Sequence, residues 1–172
     1  MFLRLAVWII MIFGGAALSI YFDGIYFDSL FHNVWFHIGS FLIGAMLTKA
    51  VITVSKNTGR TLAKYGRKGK IKRMETNVLV KEGIYKLMRH PMHLGLLFFP
   101  VAVALLLGSP TFIFIIAPLD AFFMLAMIKL IEEPEAIGKF DGEYLKYMKE
   151  TPMFCFSGKC LKELFRKVEK NN

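Results

Sequence analysis

Cysteine, histidine and acid are all scarce in this chain, and each shortage removes a class of protein. Two cysteines in 172 residues, Cys155 and Cys160, are too few for a disulfide framework. Their C-x4-C spacing has no second pair and no nearby histidine, so a zinc site is not expected, and two reduced thiols facing the cytoplasm are. Four histidines fall short of what a di-iron membrane desaturase or hydroxylase needs, and no metal site is assigned. Asp and Glu number 13 against 22 Lys and Arg, for a net charge of +9. Such a balance can serve nucleic acid. Here the cations lie outside the apolar runs, which points instead to anionic lipid headgroups and to the fixing of topology, so no nucleic-acid partner is expected. Internal repeats and low-complexity tracts are absent.

What is abundant is apolar surface. Hydrophobic residues make up 55% of the chain and mean hydropathy is +0.48, too apolar for an ordinary soluble domain. The 17 Phe and 10 Met suit lipid contact and adaptable packing. The pattern predicts an all-α integral membrane protein of one domain with about four transmembrane helices. Two spans fill residues 1–54 (about Leu3–Phe22 and Val34–Val54), the first an uncleaved signal anchor whose Gly14, Gly15, Ala16 and Ala17 admit a close neighbour. Asp23–Asn33 joins them among interfacial aromatics Tyr21, Tyr26, Phe27 and Trp35. His37 reads as an interfacial or interhelical hydrogen-bonding residue. Residues 55–91 form a basic loop in which Ser55–Arg89 holds eleven Lys or Arg against Glu75 and Glu82. The positive-inside rule makes this loop cytoplasmic. A helical hairpin follows over 92–131, with spans at about Met92–Leu107 and Thr111–Ile131 and a turn at Gly108-Ser109-Pro110. Residues 132–172 are a cytoplasmic C-terminal region: an amphipathic stretch Pro134–Glu150, then a basic tail that can lie on the membrane surface. Four spans place both termini and the loop on the cytoplasmic side.

The hairpin makes a site. From His90 to Ser109 is 19 residues and from Ser109 to Glu132 is 23, so at about 1.5 Å per residue each arm is roughly 30 Å long, one membrane thickness. The feet then lie side by side: Arg89, His90 and His93 from one arm, Glu132, Glu133 and Glu135 from the other. Such a set can hold a zwitterionic amino-acid group, with Arg89 and His90 as donors to its carboxylate and a glutamate as acceptor for its ammonium. Pro91 suits a first helical turn, and Gly95 leaves room for a ligand or a neighbouring backbone. Asp120, in the middle of the fourth span, is a candidate lining residue for a substrate tunnel.

Gly83-Ile84-Tyr85 and Arg89-His90-Pro91-Met92-His93-Leu94-Gly95 resemble the G-x-Y-x-x-x-R-H-P-x-Y-x-G pattern of the isoprenylcysteine carboxyl methyltransferase and phospholipid N-methyltransferase superfamily. Glu132-Glu133, Phe140, Tyr144, Tyr147 and Pro152 resemble its E-E-x-x-L-x-x-x-F-G-x-x-Y-x-x-Y segment with the following proline. The resemblance covers roughly residues 76–156. It implies S-adenosylmethionine as cofactor in a cytoplasmic pocket at the hairpin foot, with a lipophilic substrate entering from the bilayer and membrane lipids as partners. It implies catalytic roles for Glu132 and Arg89, and cofactor contacts from Tyr85, Arg89, His90, His93, Gly95, Glu132, Glu133, Tyr144 and Tyr147. The chain departs from the pattern at His93 (family Tyr), Ala136 (family Leu) and Asp141 (family Gly, with Gly142 one place later), and Lys149–Pro152 is less basic than expected. The alternatives are a sterol-reductase-like enzyme using NADPH and a non-catalytic membrane binding protein.

Overall fold

An apolar stretch without proline forms the first helix, α1 (Phe2–Tyr26). A one-turn helix, α2 (Asp28–Phe31), leads into α3 (Val34–Tyr65). After the basic loop come a 3-10 turn at Gly83–Lys86, α4 (Pro91–Leu97), α5 (Phe99–Leu107), a π turn at Phe112–Ile116 and α6 (Ala117–Met127). A second π turn at Ile128–Glu132 precedes α7 (Glu133–Glu150) and α8 (Gly158–Leu164). The computed structural model describes residues 2–69, 76–166 and 168, with side chains from Ala6 onward. The side chain of Arg4, and Lys70, Lys72, Arg73, Glu75, Lys167 and Lys170, lie outside the described residues. Among the described residues every regular element is helical. Three helices among the described residues are long and apolar enough to cross a membrane: Ala6–Tyr26, Val34–Tyr65 and Phe112–Glu150. Pro91–Leu107, made of α4 and α5, is a shorter apolar helical stretch.

Two of the expected elements differ. α3 continues past Val54 to Tyr65: its last turn carries the good helix formers Leu62, Ala63 and Lys64, and its polar residues Asn57, Thr58 and Thr61 are buried by packing, Asn57 donating to the Leu164 carbonyl. The single helix expected over Met92–Leu107 breaks at Phe98 (φ −88°, ψ −5°). Pro100, in the first turn of α5, has no amide hydrogen to return to Leu96, which explains the break.

The chain divides into two compact units. The first comprises Met1–Val51 and Leu97–Met127. Its core is Ile12, Ala104, Phe112 and Ala117, with Trp8, Ala16, Val101, Val103, Ile113 and Ile116 packed around them. Helices approach closely where the small residues lie. A Cβ on Gly15 would stand 2.8 Å from Ile116, and one on Gly44 2.8 Å from the backbone nitrogen of Leu106. Ser40 seals the second contact by donating to the Leu105 carbonyl at 2.6 Å. The turn at Gly108-Ser109-Pro110 is present, with Gly108 left-handed (φ +62°) as the cap of α5. A side chain there would land on the His37 ring, which itself hydrogen-bonds the Phe31 carbonyl. Asp23, read above only as part of a connection, is fully buried. It accepts from the Ser109 hydroxyl and from the Thr111 amide (2.7 Å), capping the helix that begins at Pro110.

The second unit comprises Ile52–Leu96 and Ile128–Asn172. Val54, Val80, Ile84, Tyr85, Met88, Leu94, Cys160 and Leu164 form its core, with Leu62, Leu87, Phe154 and Cys155 against them. Cys155 and Cys160 are joined as a disulfide, which corrects the expectation of two reduced thiols. The physical reason is local: the Ser157 hydroxyl caps α8 at the Cys160 amide and turns the chain so that the two sulfurs meet.

Within α7, Asp141 takes φ +47°, ψ −132°, a conformation that costs an L-residue on the order of 1–3 kcal/mol and that glycine adopts freely. Its side chain is exposed. This is the position at which the resembling family pattern carries glycine. D141G is expected to stabilise the protein by about 1 kcal/mol after the flexibility glycine adds to the unfolded chain, raising the thermal midpoint in nanodiscs, whereas D141A leaves it unchanged or lower.

Candidate functional site

The 3-10 turn and the start of α4 set one side of the site, and the second π turn with α7 sets the other. Pro91 opens α4, so Arg89, at a bend, and His90 lie just ahead of the helix. Their amides donate to the carbonyls of Pro152 (2.9 Å) and Met153 (3.2 Å), a short backbone pairing that fixes the motif against the chain leaving α7. The π turn at Ile128–Glu132 ends on Glu132, and Glu133 opens α7 directly after it.

Glu133 is buried and Glu132 is not: their side chains are 8% and 30% exposed. Glu133 Oε1 accepts from Arg89 Nη2 (2.6 Å) and Nε (3.2 Å), and lies 3.3 Å from His90 Nε2. The remaining arm of the Arg89 guanidinium donates to the carbonyls of Met148 (3.1 Å) and Thr151. Arg89 is therefore held on three acceptors from both ends of α7. His93 pairs with Glu132 at 3.7 Å, and its ring meets that of His90 edge-on at 5.4 Å. The Tyr144 hydroxyl lies 3.5 Å from His90 Nε2, and the Tyr147 hydroxyl donates to the Tyr85 carbonyl, joining α7 to the 3-10 turn. Gly95 lets α3 approach: a Cβ there would stand 3.1 Å from Val54 and 3.5 Å from the Ser55 hydroxyl.

Burial, reinforced by His93 and offset by Glu133, lowers the His90 pKa to about 4, so the ring is neutral at physiological pH. Burial and the neighbouring Tyr147 raise that of Tyr85.

The structure thus brings together Tyr85, Arg89, His90, His93, Glu132, Glu133, Tyr144 and Tyr147, with Gly95 behind them on α4. Asp120 is not among them. It belongs to the other unit, where it is buried with Oδ2 unpartnered. Ser55 was missed, and so were the carbonyls of Met148, Thr151, Pro152 and Met153. Only Pro152 had a signal in the sequence, as the proline after the tyrosine pair. Among the described residues of this unit, the buried hydroxyls of Ser55 and Tyr85 have no hydrogen-bond partner.

A family model described as phospholipid methyltransferase matches residues 32–141. The chain belongs to the phospholipid methyltransferase family. That family membership and the apolar helices make it a membrane protein of methyltransferase type. Neither the curated proteins nor the solved structures contain a match. The matched segment runs from the end of α2 to Asp141, so it includes Tyr85, the Arg-His-Pro motif and both glutamates but stops short of Tyr144 and Tyr147.

Two outcomes test this geometry. Lysine offers one point charge in place of a planar fork, so R89K cannot serve Glu133 and both carbonyls. It is expected to cost about 2–4 kcal/mol, read as a lower thermal midpoint in a fixed nanodisc. The second concerns pH. Because the folded-state pKa of His90 lies below the ordinary 6.5, the unfolded chain binds more protons between the two values. The contribution is intact above about pH 6.5 and falls away as pH drops towards 4. H90Q should flatten this part of the melting-temperature profile and leave the neutral region sloped as in the wild type.

Proposed function

We propose that the protein transfers a methyl group from S-adenosylmethionine to a lipophilic acceptor that reaches the site from the bilayer. Family membership supports methyl transfer over the reductase and the non-catalytic readings. The observation that carries the site assignment is the contrast between the two glutamates. Glu133 is enclosed by Arg89 and His90, while Glu132 with His93 stands at the accessible edge.

The residues fit the cofactor in kind. Bound S-adenosylmethionine would supply a methyl group made electrophilic by its sulfonium, so the protein needs no covalent intermediate, only alignment. Glu132 is the acceptor for the ammonium group. The unpartnered hydroxyls of Ser55 and Tyr85 are donors in the same unit, and Gly95 keeps α4 close to Ser55. Arg89 acts as a positioning residue: it holds Glu133, and through Thr151 and Met148 it holds α7 against the Arg-His-Pro segment. His90 and Tyr144 line the buried side, and Tyr147 fixes the 3-10 turn.

The same reading has four spans. Pro91–Leu107 joins the three long helices, and the apolar part of the third, about Phe112–Ile131, crosses while the polar α7 stays outside, since a bilayer takes only about 20 residues. The charge rule then puts the basic loop, the pocket and both termini on the cytoplasmic side, where the Cys155–Cys160 disulfide faces a reducing compartment. The chain organises as two spans over 1–54, the loop over 55–91, the hairpin over 92–131 and the C-terminal region over 132–172.

Calorimetry with S-adenosylhomocysteine in nanodiscs tests this. Wild type binds, and E132Q binds about 10- to 100-fold more weakly, the scale of one lost hydrogen bond to a charged group. Folded wild-type protein that binds NADPH and not S-adenosylhomocysteine would overturn it. Lipid extracts from cells given labelled methyl donor, wild type against E132Q, identify the acceptor.

A further inference from the structure

α8 buries one side and offers another. Cys160 and Leu164 pack into the core of the second unit beside Val54, the residue at which the apolar run of α3 ends. The Leu164 carbonyl accepts from Asn57 Nδ2 at 3.1 Å, one turn further along α3. The helix is therefore docked at the level where α3 changes from apolar to polar. In a membrane-spanning helix that level is the bilayer interface.

The other side of this segment is unlike ordinary protein surface. Phe156, Leu161 and Phe165 are 63%, 43% and 46% exposed. Leu161 and Phe165 are four residues apart and so share a face. The Cys155–Cys160 disulfide closes the loop that carries Phe156. Lys159, Lys162 and Arg166 of the same segment are exposed, as are Lys56 and Arg60 on α3, on either side of the Asn57 that bonds Leu164. The acid among them is Glu163, paired with Arg166 at 3.4 Å. Beside α8 opens a cavity of about 450 Å³ whose polar lining includes Asn57, Thr61, Lys64, Tyr65 and Arg166.

We propose that α8 with Phe156 and Phe165 is an interfacial foot that docks on anionic lipid. The apolar side chains enter the headgroup–acyl boundary, and the surrounding cations meet negatively charged headgroups. Charge and apolar area act together here as they do in monotopic amphipathic segments. The foot also bears on the site. Pro152 and Met153, whose carbonyls hold Arg89 and His90, lie immediately before the disulfide loop. The proposal rests on the chain spanning the membrane and not on the identity of the cofactor.

The test uses the full chain with Trp8 and Trp35 replaced by Phe and a single reporter, F165W, in nanodiscs carrying brominated acyl chains. L161W serves as a second reporter should the first fail to fold. Discs of phosphatidylcholine alone are compared with discs containing phosphatidylglycerol. Bromine quenches the reporter more strongly with phosphatidylglycerol, high salt reverses the gain, and K159E and K162E lower the docked-to-undocked ratio about fivefold each. A reporter that stays solvent-like and unquenched in anionic discs overturns the proposal and leaves this face to a protein partner. Quenching that is equal in both lipids and indifferent to salt and to both substitutions overturns it as well.

Discussion

A carboxylate taken out of water must be answered by a cation and by hydrogen bonds, or it does not stay charged. Glu133 is answered by two nitrogens of Arg89 and approached by His90. The remaining Arg89 nitrogen is itself answered by the carbonyls of Met148 and Thr151. One guanidinium thus ties the first turn of α7 to its last turn and both to the chain ahead of α4. Breaking the pair would leave a buried charge without a partner. Such pairs add little net stability, but they tolerate few alternative arrangements. The arrangement they select here leaves Glu132 and His93 at the edge, while the paired side chains themselves are closed to solvent.

The first unit uses the same logic at its own turn. Asp23 accepts from Ser109 and Thr111, and Gly108 gives the left-handed residue that lets α5 end beside them. A buried acid capping a helix start satisfies amides that lipid could not. Apolar packing around Phe112 then supplies contact area, while the polar cap decides where the turn falls.

The local features of both units were legible from sequence because they follow short rules. Helical periodicity, the Gly-Ser-Pro turn and the small residues at Gly15 all act within a few residues or on a single face. The approach of the Arg-His-Pro foot to the paired glutamates was legible from arm lengths alone. What was hidden depended on tertiary partners. Glu132 and Glu133 look alike in sequence, and only the fold buries one and leaves the other open. Asp23 looked like a loop acid until the turn at Ser109 covered it. The break before Pro100 had a signal in the proline, but a proline near the middle of an apolar run reads equally as a tolerated kink. The disulfide depended on a turn capped by Ser157, which cysteine counting does not see.

His93 now has a physical meaning. A tyrosine there would bring one hydroxyl. The imidazole instead pairs with Glu132 and lies edge-on to His90, where its charge when protonated helps lower the His90 pKa. Arg89 and Glu133 cancel each other, and His90 is neutral. Glu132 and His93 remain as the less buried ionisable pair beside them. In the proposed function Glu132 meets the cationic end of the cofactor, and His93, one of the positions at which the chain departs from its family pattern, is the side chain paired with it.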